Sequence, residues 1–293
     1  MTAYVVDTSG QVTPIRGAIA GTPITTGSNA RAIAITPNGK TAYIADGDAG
    51  TVTPIDTATN TAGHPIRTGT LPTAIAITPN GKTAYVANYQ SGTVTPIDTA
   101  TNTPDRPIAT GTHPTVIAIT PNGKTAYVAA LAGTVTPINT ATNTAGRPIP
   151  IGGEPGGIAI TPNGKTAYVS GGLYTVTPID TATGTAGPGI TTGTFPYAIA
   201  ITPNGRTAYV SNTGSGTVTP INTATNTPGR PIRTGTFPIA IAITPDSKTA
   251  YVANNYAHTV TPINTATNTA GRNIRAGSGP VDIAVMPRPC RHR

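Results

Sequence analysis

The chain has 293 residues, 37% of them hydrophobic, which is enough for one large β domain or two average domains with a buried core. Thirty Pro, 34 Gly, two Phe and no Trp mean that the core has to consist of Ile, Val, Ala and Tyr. The formal net charge of +8 permits an anionic partner, and the single Cys290 excludes an intramolecular disulfide.

The sequence contains no feature of a membrane or exported protein. Because it lacks any run of 18 apolar residues, it predicts no transmembrane helix. The first residues, MTAYVVD, include no basic region, apolar stretch or small-residue cleavage site, and so predict no signal peptide. We therefore expect a cytoplasmic protein, or a surface or secreted one if the natural start lies upstream.

A repeated unit organises the whole chain. The triplet TAY recurs every 39 to 42 residues, with its tyrosine at Tyr4, Tyr43, Tyr85, Tyr127, Tyr168, Tyr209 and Tyr251. Repeats of this length with four short strands each are typical of propeller blades. Seven copies predict an all-β, seven-bladed β-propeller as a single domain over residues 1–287, followed by a basic tail at 288–293.

The copy at residues 72–113 shows the predicted order of elements. TAIAIT forms a first strand and TAYVAN a second, and the PNGK between them suits a tight turn because Asn and Gly tolerate unusual backbone angles. TVTPID forms the third strand, and the polar DTATNTPD leads to a short, outermost fourth strand in RPIATG. The tyrosines, repeated inside strands, are interpreted as packing between blades.

Each third strand contains a proline, as at Pro54. Proline removes one backbone donor, and alternate residues of a strand direct their N–H groups to opposite neighbours. We predict that the missing donor faces the outer, fourth strand. Proline at this rim would block edge-to-edge pairing with other molecules.

The chain ends predict how the sheet array closes. The sequence starts at the second strand of a blade, whereas PVDIAVM at 280–286 matches the first-strand pattern PTAIAIT. We therefore expect residues 281–286 to form the innermost strand of the blade whose other three strands come from the first 27 residues.

ITPNGKTAYVAN followed by TVTPIDTATNT resembles the YVTN family of β-propeller repeats over essentially the whole chain. The third-strand proline and PDSK at 245–248 depart from the usual pattern. The resemblance implies a propeller, often bacterial or archaeal and often at the cell surface. It implies no single activity, because family members are linked to surface layers, adhesion and nucleic-acid binding, and related propellers include lyases and lactonases.

Two sets of loops vary between the copies, whereas PNGK and DTATNT stay nearly constant. In an up-and-down blade the varying loops, between the second and third strands and before the first strand, emerge on one face. This face, around the mouth of a central channel, is the predicted binding site for a small molecule or protein. The residues predicted to bind the ligand are Arg31, Tyr89, His113, Glu154, Phe195, Tyr197, Phe237, His258 and Asp282. Residues expected on the same face but further from the channel mouth are Asp46, Asp48, Asn254 and Tyr256.

Some of these residues have two interpretations. His113 and Glu154 are weak catalytic candidates: similarity to the streptogramin lyases implies a metal-assisted or acid–base role, whereas the plainer interpretation is solvated surface. Phe195, Tyr197 and Phe237 form either an apolar contact patch or local packing over the channel mouth.

The constant turns place one cation in each of six repeats, and further Arg residues lie near the outer strand. This charge is interpreted as a contribution to solubility, with nucleic-acid binding as the alternative. The turn cations are Lys40, Lys82, Lys124, Lys165, Arg206 and Lys248. The sequence thus favours a monomeric, non-enzymatic binding or scaffold protein without a cofactor, and the alternatives are a metal-assisted lyase or hydrolase and a nucleic-acid binder.

Overall fold

The computed structural model describes residues 2–6, 10–16, 19–275, 279–280 and 283. Within them the chain forms 34 strands in seven antiparallel sheets, one sheet for each repeat, as the sequence predicts. No helix in this described part is long and apolar enough to cross a membrane. The chain divides into two compact units, residues 1–149 and 150–293, and the sheets are called blades 1 to 7 in chain order.

The blades of the first unit follow one another along the chain. Blade 1 contains β1 (Thr2–Val6), β2 (Gln11–Arg16), β3 (Ile19–Ala20) and β4 (Ile24–Thr25). Blade 2 contains β5 (Ala30–Ile35), β6 (Thr41–Asp46), β7 (Thr51–Asp56), β8 (Thr61–Ala62) and β9 (Ile66–Arg67). Blade 3 contains β10 (Pro72–Ile77), β11 (Thr83–Asn88), β12 (Thr93–Asp98), β13 (Thr103–Pro104) and β14 (Ile108–Ala109). Blade 4 contains β15 (Pro114–Ile119), β16 (Thr125–Ala130), β17 (Thr134–Asn139), β18 (Thr144–Ala145) and β19 (Ile149–Pro150).

The second unit repeats the same pattern in three blades. Blade 5 contains β20 (Pro155–Ile160), β21 (Thr166–Gly171), β22 (Thr175–Asp180), β23 (Thr185–Ala186) and β24 (Ile190–Thr191). Blade 6 contains β25 (Pro196–Ile201), β26 (Thr207–Asn212), β27 (Thr217–Asn222), β28 (Thr227–Pro228) and β29 (Ile232–Arg233). Blade 7 contains β30 (Pro238–Ile243), β31 (Thr249–Asn254), β32 (Thr259–Asn264), β33 (Thr269–Ala270) and β34 (Ile274–Arg275).

The outer edge of each blade differs from the single fourth strand that the sequence predicts. In blade 3, β10 pairs with β11 and β11 with β12, but β12 then pairs with two short segments, β13 and β14. β13 pairs with Ile97 and Asp98, and β14 pairs with Thr93 and Val94. The residues between them, Thr95 and Pro96, have no ladder partner on this side, because proline cannot donate to a neighbouring strand.

The backbone bonds of the third-strand prolines confirm which side lacks a donor. The carbonyl oxygen of Pro54 accepts a hydrogen bond from the N–H of Gly63 in the outer segment, at 2.7 Å. Both backbone polar groups of a strand residue face the same neighbour, so the missing N–H also faces outward. The same bond occurs in all seven blades, and in blade 3 the donor is Asp105.

The predicted tight turns between the first and second strands are confirmed. In blade 2, the Asn38 side-chain oxygen accepts hydrogen bonds from the Thr36 hydroxyl (2.8 Å) and the Lys40 N–H (3.0 Å). Gly39 adopts φ +70°, a conformation that glycine reaches without steric cost. In the PDSK variant, Asp246 accepts the bond from the Lys248 N–H at 3.1 Å, and Ser247 has φ 60°.

The core lies between consecutive blades. Tyr85 of blade 3 is buried and belongs to the same cluster as Val128 and Ile138 of blade 4. Tyr168 of blade 5 clusters in the same way with Val210 of blade 6. The predicted role of the TAY tyrosines in packing between blades is thereby confirmed, and each sheet depends on its neighbour for its apolar contacts.

A hydrogen bond links five of these tyrosines to an asparagine of the next blade. The Tyr43 hydroxyl donates to the side-chain oxygen of Asn102, which lies in the next DTATNT turn with φ 57°. The five pairs are Tyr4–Asn60 (2.7 Å), Tyr43–Asn102 (2.6 Å), Tyr85–Asn143 (2.7 Å), Tyr168–Asn226 (2.5 Å) and Tyr209–Asn268 (2.6 Å). Asparagine suits the position because it tolerates a left-handed backbone and supplies the acceptor.

The predicted closing strand, residues 281–286, lies outside the described residues apart from Ile283. Blade 1 itself contains the predicted remainder: β1 pairs with β2, and β2 pairs with the short segments β3 and β4.

The two roles of the turn asparagine can be separated at Asn102. We expect Asn102→Gly to lower the free energy of unfolding by about 1 kcal/mol, because it removes one acceptor from a buried hydroxyl but keeps the backbone angle accessible. Asn102→Ala should cost about 1 kcal/mol more, since alanine is also strained at positive φ. Urea unfolding followed by circular dichroism measures both values, and blade 5, where Gly184 takes this place with φ +67°, shows that the turn accepts glycine.

Alkaline pH should unfold the protein through the same tyrosines. Burial raises the pKa of Tyr43, Tyr85, Tyr168 and Tyr209 to about 12, and nearby Asp98 and Asp105 add to the shift of Tyr43 and Tyr85. An unfolded tyrosine titrates near pH 10, so the stabilisation is complete below about pH 10 and is lost as the pH rises towards 12. Urea unfolding at a series of pH values should show this decline. Tyr85→Phe should be less stable at neutral pH yet lose less stability over the same range, and a flat profile up to pH 12 would contradict the expectation.

Candidate functional site

The two sets of variable loops are joined by backbone hydrogen bonds. In blades 2 to 7, the residue before the first strand accepts a bond from the loop that follows the second strand. The pairs are Gly47–Asn29 (3.0 Å), Tyr89–Leu71 (2.9 Å), Leu131–His113 (3.0 Å), Gly172–Glu154 (3.3 Å), Thr213–Phe195 (2.9 Å) and Asn255–Phe237 (2.9 Å), donor first. In each unit the variable loops therefore share one face, as predicted, and the constant PNGK turns lie at the other ends of the same strands.

In blades 2, 3, 4, 6 and 7 the residue before the first strand has an unusual backbone conformation, and Glu154 of blade 5 is the exception. Leu71, His113, Phe195 and Phe237 have φ between 52° and 58°, a left-handed region that costs a bulky residue about 1–2 kcal/mol. Gly279 precedes the seventh copy of the motif with φ +60°. Because glycine fits this conformation without the cost, the large side chains in the other copies need another explanation.

In the first unit, the predicted site residues Tyr89 and His113 meet. Their rings stack with centroids 4.5 Å apart, and both side chains are half-buried. Arg31 is exposed and its Nε lies against Gly47, where a Cβ atom would come within 2.9 Å of it. Asp48 accepts a hydrogen bond from the Asn29 side chain at 2.9 Å.

Two residues that the sequence places on the rim are buried instead. Asp46 and Asn254 end the second strands of their blades, and neither side chain is exposed to solvent. Asp46 accepts hydrogen bonds from Thr53 (2.6 Å) and Thr26 (2.9 Å), and burial raises the pKa of its carboxyl group. Asn254 donates to Thr261 at 2.8 Å. Both predictions are wrong because these side chains turn inward to join the loops, and they serve the fold.

Most of the exposed large apolar side chains of the described residues lie in the second unit. Among the described residues, six of the eight exposed large hydrophobic residues lie in its variable loops or at the start of a first strand. They are between 36% exposed (Phe237) and 66% exposed (Tyr256). We call these six residues the aromatic face: Leu173, Tyr174, Phe195, Tyr197, Phe237 and Tyr256.

The rings of the aromatic face are supported from within the unit. Phe237 and Tyr256 stack with centroids 4.3 Å apart and an interplanar angle of 13°. Phe195 lies against Gly214, where an added Cβ would come within 2.7 Å of the ring. Tyr197 lies against Gly156 in the first strand of blade 5, where an added Cβ would come within 2.9 Å of the ring.

The remaining predicted residues lie around this face or outside the described chain. His258 is exposed, and its Nδ1 accepts a hydrogen bond from the Gly279 N–H at 2.8 Å. Glu154 is exposed in the second unit, whereas His113 belongs to the first. Asp282 lies outside the described residues. Over the described part of the chain, no three His, Cys, Asp or Glu side chains cluster as metal ligands do.

Sequence reasoning missed part of the aromatic face. Leu173 and Tyr174 come from the GGLY loop of blade 5, and Tyr256 was expected further from the site. Their signal was present in the comparison of copies, because GGLY is the one variable loop with two adjacent large apolar residues.

The constant turns present a different chemistry. The six turn cations are exposed. In the second unit a cleft of about 430 Å³ lies between the turns of blades 6 and 7, and Asn204, Arg206, Ser247 and Lys248 contribute to its lining. This surface is polar and carries both signs of charge, since Asp246 lines the cleft with Arg206 and Lys248, in contrast to the aromatic face.

Comparisons with known proteins identify the fold. A family model described as YNCE-like beta-propeller matches residues 198–289. No curated protein sequence matches the chain. The structure is similar to hydrazine synthase of Kuenenia stuttgartiensis, with a TM-score of 0.73 and 23% identity over 88% of this chain and 90% of that one.

Two further solved structures extend the comparison. A functionally unknown protein of Desulfotomaculum acetoxidans gives a TM-score of 0.75 and 18% identity, covering 95% of this chain and 97% of that one. The dihydro-heme d1 dehydrogenase NirN, in complex with DHE, gives 0.80 and 16% identity over 94% of this chain and 63% of NirN. At these identities the similarity establishes the β-propeller fold alone.

Replacing Phe237 tests whether its side chain serves the fold. We expect Phe237→Asn to change the free energy of unfolding by less than about 1 kcal/mol, because relief of left-handed strain offsets the lost ring stack. Asn29 occupies the equivalent position with φ 58°, so asparagine fits this backbone. Phe237→Ala should cost about 1 kcal/mol, since it loses the stack and keeps the strain. Urea unfolding of both variants measures the difference, and a loss of several kcal/mol in Phe237→Asn would assign the ring to packing.

Proposed function

Since the chain is a YVTN-type, seven-bladed β-propeller repeat protein, we propose that it is a non-enzymatic binding or scaffold protein. Its ligand or protein partner contacts the variable-loop face, and the main contact surface is the aromatic face of the second unit. Related folds carry many activities, so the proposal depends on the residues of this face.

The observation that carries the proposal is the conformation of Phe195 and Phe237. Each is an exposed aromatic residue in a left-handed backbone conformation, at a position where Asn29 and Gly279 show that smaller residues fit. The fold gains little from these rings, because both exposed apolar surface and backbone strain oppose stability. Aromatic side chains are, however, the residues that contribute most to binding at protein surfaces.

The exposed apolar residues are also concentrated. Isolated exposed hydrophobic residues are normal, but a contiguous group marks an interaction surface. Here the loops are connected: the Phe195 N–H donates to the Leu173 carbonyl at 2.8 Å, and the Thr234 N–H donates to the Gly216 carbonyl at 3.0 Å. These bonds link the aromatic residues of blades 5, 6 and 7 through one chain of loops.

A binding screen tests the proposal. Wild-type protein and a Phe195→Asn/Phe237→Asn variant are screened against a random-peptide display library and a glycan array. We expect a class of ligand that binds the wild type and is lost from the variant by about tenfold or more, which corresponds to about 1.4 kcal/mol.

An Arg206→Ala/Lys248→Ala variant is the matched control, because it changes the constant turns of the same unit. Ligands that survive in this control and disappear in the aromatic variant support the proposal. Ligands with the opposite behaviour would place the binding site at the basic turns and contradict it.

A further inference from the structure

We propose that the aromatic face binds a neutral polysaccharide, a chain of uncharged sugar rings. This inference rests on the proposed binding function and specifies its ligand class. It depends on three properties of the variable loops of the second unit: the exposed rings, the hydroxyl groups between them, and the absence of Lys and Arg within the loops.

The aromatic rings suit packing against the C–H face of a sugar ring. A pyranose ring has faces made of C–H groups and an edge of hydroxyl groups, so its face packs on an aromatic ring while its edge needs hydrogen-bonding partners. Tyr256 and Phe195 are each at least half exposed and so offer ring surface to a ligand. Because such rings occur in three consecutive blades of the unit, the face suits a chain of several sugars better than a single one.

The loops between the aromatic rings offer hydrogen-bonding partners for the hydroxyl edge of a sugar. The hydroxyl groups of Thr192, Thr213 and Thr234 donate to the carbonyl oxygens of Tyr174 (3.2 Å), Phe195 (3.0 Å) and Gly216 (3.2 Å). With their hydrogen atoms used in this way, the hydroxyl oxygens keep lone pairs for outside donors. Sugar hydroxyl groups supply such donors.

The low charge of these loops favours an uncharged ligand. The described variable loops of the second unit comprise residues 152–156, 172–174, 192–197, 213–216, 234–237, 255–258 and 279–280. They contain one acidic residue, Glu154, and no Lys or Arg. Nucleic acids and acidic polysaccharides are bound through Lys and Arg contacts, and within these loops no such cation is present. Arg206 and Lys248 lie at the constant turns of this unit, whereas Arg233 and Arg275 are exposed on the outer strands, where they pair with Thr217 and Thr259 next to the variable loops.

The rings are held before any ligand arrives. Phe195 and Tyr197 lie against Gly214 and Gly156, where no larger residue fits without moving the ring. Phe237 and Tyr256 fix each other by stacking. Rings that are already ordered lose little conformational entropy on binding, which favours affinity for a ligand with weak individual contacts.

Titration of the full chain with defined ligands tests the proposal. The neutral probes are linear oligosaccharides of glucose, mannose, xylose and N-acetylglucosamine. Heparin and polygalacturonate serve as anionic probes, and a proline-rich peptide as a protein-like probe. By isothermal titration calorimetry we expect at least one neutral oligosaccharide to bind, with an affinity that is the same at low and high ionic strength.

Variants locate the binding. Tyr256→Ala and Phe195→Asn should each weaken binding about tenfold, and Gly214→Ala should weaken it by displacing the Phe195 ring without removing an aromatic residue. Tyr256 is the most exposed of the six residues, so its removal leaves the fold intact, which melting temperature verifies. Arg206→Ala/Lys248→Ala should bind as the wild type does.

The contrary outcomes separate this inference from the proposed function. If the peptide binds and its binding depends on Tyr256 while no neutral oligosaccharide binds, the polysaccharide proposal is wrong and the binding function stands. Binding of the anionic probes alone, weakened by salt, likewise overturns the ligand class. If no probe binds, or if all variants bind equally, both proposals are wrong.

Discussion

The structure depends on contacts that no blade can make by itself. A blade of about 40 residues has a small apolar inventory, and its largest side chain, the TAY tyrosine, is buried only because the next blade covers it. The tyrosine hydroxyl then needs a partner, which is the asparagine of the next blade's turn. One residue therefore joins apolar packing and hydrogen bonding across the interface. The constancy of TAY and DTATNT follows from this pairing, because each motif is the other's complement one repeat away.

The same arrangement explains what could be predicted from the sequence. The repeat length, the hairpin turn and the outward-facing proline depend on local chemistry that each copy displays, and the structure confirms all three. The split of the outer strand into two segments was not predicted, because it depends on how few strand–strand hydrogen bonds can form next to Pro54 and its equivalents. The burial of Asp46 was also missed. A carboxylate at the end of a strand is expected to be exposed, and only the packed structure shows that two threonine hydroxyls donate hydrogen bonds to it.

The candidate site was predicted in part for a related reason. Comparison of the copies identified the variable face, and Phe195, Tyr197 and Phe237 are indeed exposed there. What the sequence could not reveal is the backbone conformation behind them. Nothing in TFPY or TLPT indicates a left-handed residue before the proline, and the hydrogen bond to the neighbouring loop does not by itself require one, because Glu154 accepts the same bond without a positive φ. Nor could it show that Gly156 and Gly214 are the surfaces on which two of the rings rest.

The position before each first strand has a consequence for how this protein can change. Asn, Leu, His and Phe occupy it with nearly the same backbone angle, so the scaffold tolerates different side chains at one fixed point of blades 2, 3, 4, 6 and 7. A single codon per repeat is thus enough to alter the chemistry of the loop surface without disturbing the tyrosine–asparagine joints. Such a chain can diversify its recognition by point mutation, or by exchange between its own near-identical repeats, while the architecture is inherited unchanged.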